Sequence, residues 1–165
     1  MKNVLKFSGV IAFGLGLAAF ILMMATPCAF YTLKIGSSTN TTYIAGTTAI
    51  FGAKGTLVDT TLAWNALLAW IFVLVAMLIA AFGAVLPLIK VKSLDKIAAL
   101  LNLVAIGLFA VAGIFLFFTV PALSAANSDA FQDYLLGVGW VFAAIFNLVA
   151  AAFCALPVIL QLLKK

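Results

Sequence analysis

Four long apolar runs alternate with short polar stretches along this chain, at residues 7–31, 62–89, 97–120 and 135–163. Each exceeds the ~20 residues that a helix needs to cross the hydrocarbon core of a bilayer. None carries a charged side chain, so each can enter lipid without a charge penalty. The pattern predicts an all-α membrane protein, a four-transmembrane-helix bundle occupying residues 1–165 as a single integral membrane domain. The intervening segments are an outer loop at 32–61, a cytoplasmic hinge at 90–96 and a second outer loop at 121–134. A hinge that short makes the second and third spans antiparallel neighbours.

The first outer loop has strand character. Tyr31, Leu33 and Ile35 alternate with Thr32 and Lys34, and the Thr-rich, β-branched stretch TTYIAGTTAIF covers residues 41–51. Gly52-Ala53-Lys54-Gly55 supplies a turn ahead of Thr56-Leu57-Val58. A small antiparallel β-sheet is therefore expected on the outer membrane surface. Two or three strands alone are marginal, so the sheet must pack on helix ends or on another subunit.

The chain also repeats itself. The stretch WIFVLVAMLIAAFGAVLPLI from Trp70 aligns without a gap on WVFAAIFNLVAAAFCALPVI from Trp140. Trp70/Trp140, Phe72/Phe142 and Pro87/Pro157 coincide, and Trp and Pro are scarce here at three and four copies. At an offset of 93, Ala12/Ala105, Gly14/Gly107, Ala19/Ala112 and Thr26/Thr119 also coincide. Together these suggest two tandem helical hairpins related about an axis normal to the membrane. Each paired Trp is expected at a membrane interface, and each paired Pro is expected to kink its helix near the inner end.

Composition agrees with the pattern: of 165 residues, 67% are hydrophobic and 8% charged, against about 25% charged in soluble domains. The placement of lysine sets the orientation. Lys2, Lys6, Lys90, Lys92, Lys96, Lys164 and Lys165 lie at the termini and the hinge, while only Lys34 and Lys54 lie in the first outer loop. By the positive-inside rule, the N and C termini are cytoplasmic, and the expected location is the cell membrane. The start of the chain resembles a signal peptide, but its apolar run is longer than an h-region of about 7–15 residues, so a retained helix is expected. The net charge of +5 comes without a basic stripe interleaved with aromatics, so nucleic acid is not an expected partner.

Candidate chemistry is sparse. The sequence has no His, Glu or Arg, and Asp59, Asp95, Asp129 and Asp133 are scattered through loops and helix ends. No catalytic residue, cofactor site or metal site is expected, and the chain is not read as an enzyme. Cys28 and Cys154 fall near opposite ends of their runs, about 20 Å apart in depth and beyond disulfide reach. Asn40-Thr41-Thr42 matches a glycosylation acceptor, a pattern that also arises without meaning. Asn65, Asn102 and Asn147 are the amides inside the runs. Each either lines a pore or hydrogen-bonds a neighbouring helix.

Two groups are candidates for assembly. Tyr43, Ile44, Ile50 and Phe51 lie on a loop too small to bury them alone. Gly139, Ala143, Asn147, Ala151 and Ala155 recur every fourth residue, giving the fourth span a smooth face for close packing within the bundle or between subunits. Four helices, a long β-rich first outer loop and a short second one resemble the claudin-like tetraspan membrane proteins. The resemblance is one of topology across the whole chain; residues 32–61 contain neither Trp nor Cys. It implies lateral assembly through outer loops, as adhesion, barrier or pore. The expected function is non-enzymatic self-assembly or partner binding, with the lipid bilayer, a homo-oligomer or another membrane protein as partners. An oligomeric channel and an accessory subunit of a larger complex are the alternatives.

Overall fold

The computed structural model describes residues 2–35, 38–55, 59–86, 92–128, 131 and 133–162. Helix α1 spans Lys2–Ala25, α3 Trp64–Val85, α4 Lys92–Phe117 and α6 Val138–Leu162. Among the described residues, these are the four helices long and apolar enough to cross a membrane. Strands β1 (Pro27–Ile35), β2 (Ser38–Ala45) and β3 (Leu135–Leu136) form one antiparallel sheet in the order β2-β1-β3. Short helices α2 (Gly46–Phe51) and α5 (Thr119–Ala126) complete a cap on one end of the bundle.

Helix α1 packs on α3 and α6, and α4 packs on α3 and α6, so the spans close a ring in the order α1, α3, α4, α6. The ring is built inside-out relative to a soluble bundle. Ala12, Ala19, Ala69, Ala76, Ala105 and Ala150 are fully buried, while Ile21, Phe82, Leu100 and Phe142 face outward. Lipid tails are as apolar as Leu, so small residues that let backbones approach closely hold such helices together. Gly16 presses on the ring of Phe109, which is fully buried and fills the middle of the bundle at that level. Ala12/Ala105 and Ala19/Ala112, the pairs at the offset of 93, are all fully buried. Thr26 and Thr119 make the same bond, each hydroxyl donating to the carbonyl four residues earlier, on Leu22 (2.6 Å) and Phe115 (3.5 Å).

Several boundaries differ from the sequence reading. Helix α1 stops at Ala25 instead of running to Tyr31. Pro27 has no N–H to give and forces Thr26 towards an extended backbone, so the chain leaves the helix and enters β1. The apolar stretch beyond it is buried by the cap, with Cys28 and Ala29 fully enclosed. Cys28 thus belongs to a strand, where its thiol donates to the Ala45 carbonyl at 3.7 Å. Both cysteines are free and buried.

Residues 41–51 divide between β2 and helix α2, where a continuous strand was expected, because Gly46 turns the chain under the cap and buries Ala49 and Ile50. The third strand is Leu135–Leu136, which the sequence reading placed at the start of the fourth span; α6 begins only at Val138. Residues 56–58 lie outside those described, although Ala53 and Thr60 beside them form an antiparallel bridge. The third span ends at Phe117, and α5 then continues to Ala126 where loop was expected. Pro121 sits in the first turn of α5, where a missing N–H costs nothing. Pro157 lies inside α6, and Pro87 falls outside the described residues.

Candidate functional site: the cap and its groove

The two faces of the sheet differ. In the antiparallel register Phe30 stands opposite Tyr43 in β2 and Leu135 in β3, with Thr32 opposite Thr41. Strand alternation puts these five on one face. The Phe30 and Tyr43 rings lie 6.5 Å apart, and the Thr32 and Thr41 hydroxyls are 3.3 Å apart. The opposite face carries Ala29, Tyr31 and Ile44 towards the body of the cap. There Tyr31 meets Tyr134 at 5.5 Å, and Tyr134 meets Phe131 edge-on at 5.2 Å.

Contacts between distant segments fix the cap to the bundle. Gly137 donates its N–H to the Cys28 carbonyl (2.7 Å), and Gly46 donates to that of Thr26 (3.2 Å). The Asn127 amide accepts from Thr61 N–H (2.7 Å) and donates to Thr61 O (3.0 Å) and Leu123 O (2.7 Å), clasping the two cap segments together. Burial pushes the Cys28 thiol up to about 12. It therefore stays protonated at neutral pH and unreactive.

Between the outward face of the sheet and the start of α6 lies a groove of about 460 Å³. Phe30, Thr32, Thr41 and Tyr43 form one wall, with Thr26, Pro27, Val138 and Gly139 forming the other. A second groove of about 460 Å³ lies on the α3–α4 seam, between Trp64, Phe115, Phe118 and Pro121. The α1–α6 and α3–α4 seams are opposite sides of the ring, so the grooves are opposed across the molecule.

The candidate assembly residues do not come together as one surface. Tyr43 is 62% exposed and Phe51 51% exposed, whereas Ile44 and Ile50 are buried in the chain's own core. Phe51 also packs edge-on against Trp70, with ring centres 5.4 Å apart. Of the small-residue face, Ala143, Asn147 and Ala151 are buried and Ala155 is half-buried. Gly139 meets the Thr26 side chain at a distance that admits no Cβ. The stripe is used by the bundle itself, between α1 and α4. Periodicity marks a packing face but carries no information on whether the partner helix belongs to the same chain.

The paired tryptophans have unlike surroundings. Trp140 is fully buried, while Trp70 is partly covered by Phe20 and Phe51. The exposed aromatic at the cap end of α3 is Trp64, which the sequence reading passed over because it lies outside the repeat.

The three amides also differ. Asn65 donates across the helix interface to Phe115 O at 3.0 Å and accepts from Ala66 N–H at 2.9 Å. Asn147 donates to Ala143 O in its own helix at 2.9 Å. Asn102 faces Gly83 and is fully buried, with neither amide atom partnered among the described residues. Burying an unpaired amide costs about 1–3 kcal/mol. Asn102→Leu is therefore expected to raise the thermal midpoint in detergent, and Asn65→Leu to lower it by roughly 1 kcal/mol in stability. Equal effects of the two changes would contradict this division of roles.

Among the described residues, no group of three or more His, Cys, Asp or Glu could hold a metal ion. Compared with known protein families and with characterised proteins, the chain matches none. Fold and composition define it as a multi-pass integral membrane protein with a β-sheet cap.

Proposed function

We propose that this chain is a non-enzymatic membrane protein that assembles with copies of itself by adding strands at the open edge of β2. The observation that carries the reading is the nature of that edge. Strand β2 is outermost in the sheet, eight residues long, and reads STNTTYIA. Six of its residues are exposed, in the pattern eeeieeBe. Proteins that keep an edge strand single place Lys, Pro or inward charges along it, and β2 has none of these. Its length offers about 26 Å of main-chain donors and acceptors to a second strand.

The claudin-like layout supports the same reading, since a long first outer segment supplies two strands and a shorter second one supplies the third. Matched environments at Ala12/Ala105, Ala19/Ala112 and Thr26/Thr119 support an origin by duplication of one hairpin. The lysines at the termini and hinge support cytoplasmic ends and a cap facing outward.

Cysteine scanning along Ser38–Tyr43 tests edge and orientation together, because the two natural cysteines are buried. Disulfide-linked dimers are expected with a two-residue period. Impermeant thiol reagents are expected to label the same positions on whole cells. A chain that stays monomeric in nanodiscs and several mild detergents, with no crosslink along β2, rules the reading out.

A further inference from the structure

We propose that the groove between the sheet and α6 holds a glycerolipid of the cap-side leaflet, with one acyl chain laid along α6. This does not rest on assembly at β2, whose main-chain edge is separate from the groove.

The argument begins with continuity. Val138, Phe142, Ile145 and Val149 are all exposed, at 65%, 50%, 41% and 38%. Their spacing of four, three and four residues makes one stripe on α6. The stripe faces the lipid that surrounds any spanning helix, and its upper end, Val138, is a wall of the groove. The rise from Val138 to Val149 is about 16 Å, close to half of a ~30 Å hydrocarbon core. A single acyl chain fits that length.

The groove then follows the polarity of a lipid from tail to head. Above Val138 come the Phe30 and Tyr43 rings, at the depth where aromatic residues meet the interface. Beyond them are the Thr32 and Thr41 hydroxyls, which share one hydrogen bond and leave a second proton free for an acceptor. An ester carbonyl is such an acceptor. Among the described side chains, those that line the groove are uncharged, which suits the ester region of a glycerolipid. The opposite groove has the same volume and similar aromatic walls but no such hydroxyl pair, and its one amide, Asn65, already donates to Phe115 O. It provides a matched comparison.

The test uses the full chain in phosphatidylcholine nanodiscs. They are doped with a phosphatidylcholine bearing a diazirine on the acyl chain near its ester, and adducts are mapped by mass spectrometry after illumination. Adducts at Phe30, Tyr43 and Val138 are expected to exceed those at Trp64 and Phe118 about tenfold, as a preference of about 1.4 kcal/mol gives. Val138→Trp, a change at an exposed position, is expected to remove the groove adducts and leave those at Trp64 and Phe118 unchanged. Equal labelling of the two grooves overturns the proposal, since it describes ordinary surrounding lipid. So does a groove free of lipid adducts but crosslinked to a second copy, which would show protein as the occupant.

Discussion

A single methyl group added at Gly46 is expected to unseat the β-sheet cap. A Cβ there would overlap the Met23 carbonyl oxygen and lie 2.8 Å from that of Thr26 and 3.0 Å from Trp140 Nε1. The first two are backbone atoms at the end of α1, so the clash cannot be relieved by turning a side chain. Gly46 also donates to Thr26 O, which ties β2 and α2 to that helix end. Overpacking usually costs about 1–3 kcal/mol, and more where backbone must move. For Gly46→Ala a loss of about 3 kcal/mol is expected, seen as a fall of roughly 10 °C in the melting midpoint in mild detergent. Gly139→Ala is expected to act similarly through Thr26. Gly14 and Gly107 provide the comparison, because a Cβ at either meets nothing within 4 Å. Alanine there should hold or raise the midpoint, by up to about 1 kcal/mol of helix propensity each. If Gly46→Ala melts with the wild type, the close approach of α1 and the cap is wrong.

Trp140→Ala should be at least as damaging, by a different route. Trp140 is the largest of the fully buried side chains and sits in the core cluster that joins the cap to the four spans. Removing it leaves a cavity that the surrounding helices can only partly close, at a cost of about 3–5 kcal/mol. Its indole N–H has no partner among the described residues. Trp140→Phe should therefore keep most of the packing while discarding an unpaired donor, and lose far less stability than Trp140→Ala. Thermal melts of the two variants side by side check this. Equal losses would mean that the indole N–H, and not the ring's volume, is what matters.

The spans were legible because length and lack of charge decide them. Residues 97–117 needed no tertiary information to be read as a helix in lipid. The cap was legible only in outline. Cys28, Ala29, Leu135 and Leu136 are as apolar as the helices they adjoin, and hydrophobicity alone does not separate a buried strand from a membrane helix. Pro27 marked the change at one end, but its effect became clear only beside the strand it opens. At the other end the signal was Gly137, whose backbone lies so close to Pro27 that no side chain fits. Alternation correctly placed Leu33 and Ile35 in a strand. It could not show that β1 would take a partner from the residues just before α6, a pairing fixed by where that helix begins.

The same small-residue argument located the packing face of α6 without naming its partner. Gly139 and Ala143 would look alike facing α1 or facing another subunit. The groove was invisible for a related reason. Phe30, Thr41 and Val138 belong to three different elements, and nothing in their local sequence marks them as neighbours.

The pairing of β1 with β3 also imposes a timetable. Ala29 pairs with Leu136, so 136 − 29 = 107 residues must be synthesised before the sheet can close. At about 5–20 residues per second, that wait lasts roughly 5–20 s. Throughout it, β1 lacks its β3 partner, and β2 is outermost among the described strands. A nascent chain therefore lacks the clasp at Ala29 and Phe30 that a finished one has, while the rest of β1, from Tyr31 to Ile35, pairs with β2 alone in both. The arrival of the last helix sets when the first strand is locked at its base.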